Sequence, residues 1–211
     1  RNGSGNSSDI IAGMQWVVDH HKEYNIKVMS LSLGAKPSGS RLDPLAAAVE
    51  AVWKKGIIVV AAAGNSGPKQ NTISTPGVSP MIVTVGAVDD KRTADFRDDT
   101  IADFSSRGPV NGRQVKPDIV APGVAITAAN TDKEYTGGLR PEALKVSYTT
   151  MSGTSVATPV VSGAAAVMLS KNPKMTPSEF KELIMKNAYN MGISKYAQGS
   201  GILDIRKCLK I

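Results

Sequence analysis

The chain has 211 residues, 41% hydrophobic and 20% charged, with Gly 20 and Pro 12 dispersed along it. That composition fits a soluble globular chain able to bury a core, and excludes disordered and collagen-like classes. The longest apolar run, Gly56 to Gly64, falls well short of the roughly 20 residues that cross a bilayer, so no membrane partner is expected. The formal net charge is +7, much of it after residue 170, where Lys171, Lys174, Lys181 and Lys186 are spaced along helical turns. Aromatics are only 5% of the chain, so no stacking platform accompanies this charge; it reads as a solvated basic face, and no nucleic-acid partner is expected. Cys208 is the single cysteine, which allows no internal disulfide and no cysteine pair at metal-ligand spacing.

The opening Arg1-Asn2-Gly3-Ser4-Gly5-Asn6 has neither an initiating Met nor an apolar signal core and reads as a cut end. After Ser7-Ser8-Asp9, the residues Ile10, Ile11, Met14, Val17, Val18 and His21 recur at helical spacing. Lys27 to Leu33 reads as a strand. Asp43-Pro44 offers an N-cap and a proline at the first helical position, and Leu45, Ala48, Val49, Val52 and Trp53 form one apolar stripe ending at Gly56. Ile57 to Ala63 is β-branched and apolar on both faces, as a central parallel strand covered on both sides would be. Met81 to Val88 repeats that signature, and Ile119 to Ala121 and Val124 to Ala128 are shorter candidates. Ser155 to Leu169 is small and apolar nearly all round and reads as a buried helix, stopped by Asn172-Pro173; Thr176-Pro177-Ser178-Glu179 is a capping box that opens a last helix through about Ala188. Alternating strands and helices without an internal linker predict one α/β domain over residues 1–211, a mostly parallel twisted sheet with helices on both faces in three layers.

Two segments concentrate chemistry. Gly153-Thr154-Ser155-Val156-Ala157-Thr158-Pro159 delivers Ser155 to the first turn of the buried helix, where free N–H groups and the helix dipole favour an anion forming beside the hydroxyl. Ala63-Gly64-Asn65-Ser66-Gly67 follows the central strand at its carboxyl end, where open α/β sheets bind ligands, and places Asn65 where its amide can meet a developing oxyanion. Taken singly, the first segment is compatible with an ordinary N-cap and the second with a tight turn. A nucleotide-binding reading of the glycine-rich turn lacks the glycine spacing and the Lys-Ser/Thr pair of a phosphate loop.

Together, in this order and spacing, these segments resemble the subtilisin-like serine proteases, the subtilases. Gly153 to Pro159 resembles that family's nucleophile motif, with Val156 where the family usually carries Met, and Ala61 to Gly67 resembles its oxyanion block. Met29-Ser30-Leu31-Ser32-Leu33-Gly34 resembles the segment that pairs with an extended substrate. Phe104 to Gly108 and Lys116 to Gly123 are similar to two further family blocks, and Gly199 to Asp204 to its closing strand. The resemblance implies a secreted endopeptidase acting on protein or peptide substrates, with Ser155 as nucleophile and Asn65 as oxyanion donor. Ser32, Leu33, Gly34, Ala61, Ala62, Ala63 and Gly64 would then contact substrate.

In that family an aspartate and a histidine precede the serine in chain order, and neither motif is present here. The two histidines, His20 and His21, are adjacent on the first helix and outside any such motif: His20 is expected to face solvent and His21 the apolar boundary. The chain therefore reads as the C-terminal portion of a subtilase peptidase domain, lacking its N-terminal strands and inactive by itself. The exposed edge would be met by the absent segment or by self-association. Rival readings are a non-catalytic pseudoprotease used for binding, and a Ser–Lys dyad with Lys145 as base. No cofactor is required; structural calcium, which many subtilases carry, stays possible, but Asp89, Asp90, Asp98, Asp99 and Asp103 show no recognisable ligand spacing.

Overall fold

The computed structural model describes residues 5–37, 43–130 and 148–210. Its elements run α1 (Ser7–His20), β1 (Val28–Leu31), α2 (Pro44–Lys54), β2 (Ile58–Ala62), β3 (Val83–Asp89), β4 (Thr100–Ile101), β5 (Ile119–Pro122), β6 (Ile126–Ala129), β7 (Tyr148–Met151), α3 (Thr154–Lys171), α4 (Pro177–Asn187), α5 (Lys195–Gln198) and α6 (Ile205–Leu209). β1, β2, β3 and β5 pair in parallel, with Val28 opposite Ile58, Val60 opposite Val83 and Val85 opposite Ile119. The short β4 adds antiparallel to the end of β3. β6 and β7 form a separate antiparallel ribbon that leads into α3.

All five residues of β2 are buried, as a strand sandwiched between helix layers must be. α3 lies across β1, β2, β3 and β5, α2 and α4 pack on β2, and α1 packs on α2. The α2 stripe is seen as expected: Leu45, Val49, Val52 and Trp53 are buried, and Asp43 caps the helix by accepting from the Ala46 N–H at 3.0 Å. The capping box of α4 is also formed, with Thr176 and Glu179 bonding each other's backbone N–H groups. Among the described residues no helix is long and apolar enough to cross a membrane.

Two elements differ from the sequence expectation. α3 buries Ala157, Val161, Ala165 and Met168, but turns its other side outward, leaving Val160 38% and Val167 45% exposed. Its residues are small and apolar on both sides, so composition carried no mark of which face would be covered. The expected closing strand at 199–204 reduces to single bridges from Ile202 to Val120 and Tyr189. Gly199 (φ +62) and Gly201 (φ +129) turn the chain before it, and Asp204 caps α6 immediately after it.

One buried charge cluster braces the sheet beneath the site. Lys116, 1% exposed, donates to Asp118 Oδ2 at 2.6 Å, to Thr84 Oγ1 at 2.8 Å and to the Ile82 carbonyl at 3.1 Å. Asp118 also accepts from the Thr84 N–H at 2.7 Å and pairs with Lys181 at 3.0 Å. Burial pushes the Lys116 ammonium down to about 8 from its usual 10.5, Asp118 opposing the shift. Between those values the unfolded chain holds the proton that the folded chain has released, so this group makes stability rise with pH across that window. Lys116→Met leaves Asp118 with Lys181 and Thr84. Removing one partner of a buried pair is expected to lower stability at pH 7, by less than the usual ~3–5 kcal/mol because Lys181 and the Thr84 N–H still hold Asp118, and to abolish the rise in melting temperature between pH 8 and 10.5; thermal melts across that range check both.

Candidate active site

Ser155 is the second residue of α3, and Gly153 precedes the helix as its N-cap. Gly153 anchors this turn by donating to the Gly123 carbonyl at 2.8 Å, and its own carbonyl accepts from Val156 and Ala157. The space beside it is bounded by Asn65, whose Nδ2 lies 3.4 Å, ordinary contact distance, from where a Cβ would stand. The first turn of α3 is thus built around the asparagine.

Asn65 is aimed by Thr154. Its Oδ1 accepts from the Thr154 backbone N–H and from Thr154 Oγ1, both at 2.9 Å. Thr154 is fully buried, and its hydroxyl oxygen in turn accepts from the Gly64 N–H at 3.1 Å. With the carbonyl side of the amide engaged, the Nδ2 donor is the end left without a partner among the described residues. Gly64 holds φ +105, and a Cβ there would run into the Ser74 and Ser106 hydroxyls, so the turn that presents Asn65 needs glycine. The segment 104–108 supports the same turn from below. Gly67 N–H donates to Phe104 at 2.8 Å, Ser106 N–H to Gly64 at 2.9 Å, and Ser66 N–H to Ser106 Oγ at 3.1 Å.

Ser155 and Asn65 line one cleft of about 770 Å³, together with Ser32, Leu33, Gly34, Ala62, Gly64 and Thr154. Of the three alanines expected to contact substrate, Ala62 lines the cleft and Ala61 and Ala63 do not, as the alternation of side chains along β2 and its continuation gives. Ser74 also lines the cleft and stands against both Gly34 and Gly64, so its side chain limits the depth between them. Two hydrogen bonds join Ser155 to Ser32. The Ser155 hydroxyl donates to the Ser32 carbonyl at 3.1 Å, and the Ser32 hydroxyl donates to the Ser155 carbonyl at 2.7 Å.

Thr154, Ser106 and Ser74 were not singled out from sequence, and Ser32 was expected only to contact substrate. Thr154 carried the strongest hint, since a hydroxyl residue beside the candidate nucleophile is placed to bond the asparagine once the two segments meet.

The histidines stand elsewhere. His20, expected to face solvent, is half-buried at the end of α1, its ring stacked on Trp16 with centroids 4.4 Å apart and its Nδ1 bonded to the Trp16 carbonyl at 2.7 Å. His21 is half-buried, with Nδ1 on the Val18 carbonyl at 2.6 Å. Neither lines the cleft. Lys145 lies outside the described residues.

The loop acids are engaged locally: Asp89 pairs with Lys91, and Asp95 with Arg97, both at 2.6 Å. Burial together with Asp90 and Asp98 pushes the Asp99 carboxyl up to about 6. Among the described residues no group of three or more His, Cys, Asp or Glu is placed to hold a metal ion.

Comparison with known proteins gives a consistent set of relatives. A family model described as "Subtilase family" matches residues 1–201. Serine protease AprX of Bacillus subtilis (strain 168) is 47% identical over 191 residues, covering 87% of this chain and 43% of that protein. Subtilisin DY of Bacillus licheniformis is 35% identical over 205 residues, covering 96% of this chain and 62% of that protein. Among solved structures, Sphericase superposes with a TM-score of 0.76 at 31% identity, covering 95% of this chain and 64% of that one. The structure titled "S41 Psychrophilic Protease" does so with a TM-score of 0.78 at 28% identity, covering 96% and 65%. The chain therefore spans less than two thirds of the length of each of these relatives.

Proposed function

Since the chain belongs to the subtilase family, we propose that its cleft is the nucleophile and oxyanion half of a serine endopeptidase site, with Ser155 attacking the scissile carbonyl and Asn65 holding the oxyanion. What supports this reading is that Ser155 and Asn65 share one cleft, with Asn65 Oδ1 engaged by Thr154 and Nδ2 left to donate. Ser155 Oγ bonds to the carbonyl carbon as its proton passes to a base, and the negative oxygen is met by Asn65 Nδ2 and the Ser155 N–H, a free donor of the first helical turn. Collapse expels the amine, which takes the proton back. Water then repeats the sequence on the acyl-enzyme, releasing the acid and restoring the Ser155 hydroxyl.

Residues 1–211 act as one portion of a single peptidase domain, and the histidine base with its orienting aspartate is supplied by residues outside them. The positions of His20 and His21, both away from the cleft, favour this over an internal histidine. An extended peptide adds as a strand beside Ser32 to Gly34. The small Ala62 and Gly64 leave room for a large apolar side chain ahead of the cleaved bond, and Ser74 sets how deep it reaches.

A fluorophosphonate probe tests the reading, because it reacts only with an activated serine. Labelling confined to Ser155 in the protease assembled with its histidine-bearing segment is the expected result; an inert Ser155 would favour a binding module. The outward face of α3, with Val160 and Val167 exposed, is where such a segment, or a second copy, would bury apolar surface. By itself the chain is expected to self-associate, and a clean monomer across the micromolar range in analytical ultracentrifugation would contradict that.

A further inference from the structure

The Ser32 side chain has no place in the chemistry described so far, yet it makes the shorter of the two bonds to Ser155. Its partner is a particular carbonyl. In an α-helix the Ser155 carbonyl would accept from the N–H of residue 159, four positions on. That residue is Pro159, which lies inside α3 and has no N–H to give. A proline ring also crowds the carbonyl four residues before it, tilting it out of the helix. The carbonyl of Ser155 is thus left without its helical donor, and the Ser32 hydroxyl occupies that vacancy at 2.7 Å.

We propose that Ser32 and Pro159 together form a clamp that positions the nucleophile, Pro159 freeing the Ser155 carbonyl and the Ser32 hydroxyl fastening it to the substrate-binding strand. This rests on the reading of Ser155 as nucleophile, and makes Ser32 a positioning residue. The clamp uses the Ser155 carbonyl and not its reactive hydroxyl, so it persists while Oγ gives up its proton and becomes acylated. The reciprocal bond from Ser155 Oγ to the Ser32 carbonyl must break at that step. The strand that aligns the peptide and the turn that attacks it are thereby held in one register, in a reaction where small misplacements are costly.

The test is a double-mutant cycle in the assembled protease on a chromogenic peptide. Ser32→Ala is expected to lower kcat about tenfold with KM within about twofold, and Ser32→Thr, which keeps the hydroxyl, to restore it. Pro159→Ala returns a backbone donor to the Ser155 carbonyl, so in that background Ser32→Ala should cost about twofold or less. An equal loss in both backgrounds, a loss confined to KM, or no rescue by threonine would overturn the clamp. An inert wild-type enzyme would instead refute the peptidase reading, and thermal unfolding of the same four proteins then decides the clamp: non-additive melting temperatures support it, and additive ones overturn it.

Discussion

The 211-residue chain by itself is expected to cleave peptides about 10⁶-fold more slowly than the same chain assembled with a histidine-bearing segment, the scale of loss found in this family when the serine or histidine is removed. A serine hydroxyl is almost wholly protonated at neutral pH and attacks amides poorly without a base. Within the cleft, the Ser155 hydroxyl faces the Ser32 carbonyl, which accepts a hydrogen bond but cannot take the proton. Turnover measured with and without the segment, with Ser155→Ala as the floor, checks this. Rates in the isolated chain well above that floor would mean that a base lies within the 211 residues, the Ser–Lys arrangement being the first to examine.

Asn65→Ala in the assembled protease is expected to lower kcat by about 10²–10³ while leaving KM nearly unchanged, the size of effect associated with losing one oxyanion donor in this family. The split between the two constants matters, because the oxyanion exists only in the transition state and substrate binding does not use it. A second variant separates chemistry from folding, since Asn65 Oδ1 also caps the Thr154 N–H at the start of α3. Asn65→Asp keeps that acceptor but replaces the Nδ2 donor with a negative oxygen. It should lose at least as much kcat as the alanine variant while retaining more of the wild-type melting temperature. A kcat that tracks melting temperature across both variants would assign Asn65 a structural role.

Much of this arrangement could be read from the residues. The fully apolar run at 57–63 announced a strand buried on both faces, and it is β2, with every residue buried. The Asp43-Pro44 and Thr176-Pro177 starts announced α2 and α4, because capping is a local matter decided within four residues. Whatever depended on long-range contact was less legible. The outward side of α3 is as apolar as its inner side, so periodicity was silent about Val160 and Val167. Ser74 is 81 residues from Ser155 in sequence and joins the cleft only because β2 and the segment after it fold side by side, the Ser74 N–H bonding the Ala63 carbonyl at 2.8 Å. The Ala61–Ala63 run, taken whole as a wall, resolved into one cleft residue once the strand's alternation was visible. Ser155 and Asn65 were identified through family motifs; their shared cleft follows from α3 crossing the carboxyl end of β2.

The most direct test is the structure of the assembled protease with a peptidyl boronate, whose tetrahedral adduct reproduces the geometry of the reaction intermediate. The account predicts a covalent bond from boron to Ser155 Oγ, one boronate oxygen at about 2.7–3.1 Å from both Asn65 Nδ2 and the Ser155 N–H, and the peptide lying extended along Ser32 to Gly34. Boron bonded to another residue, or its oxygens turned away from Asn65, would contradict it.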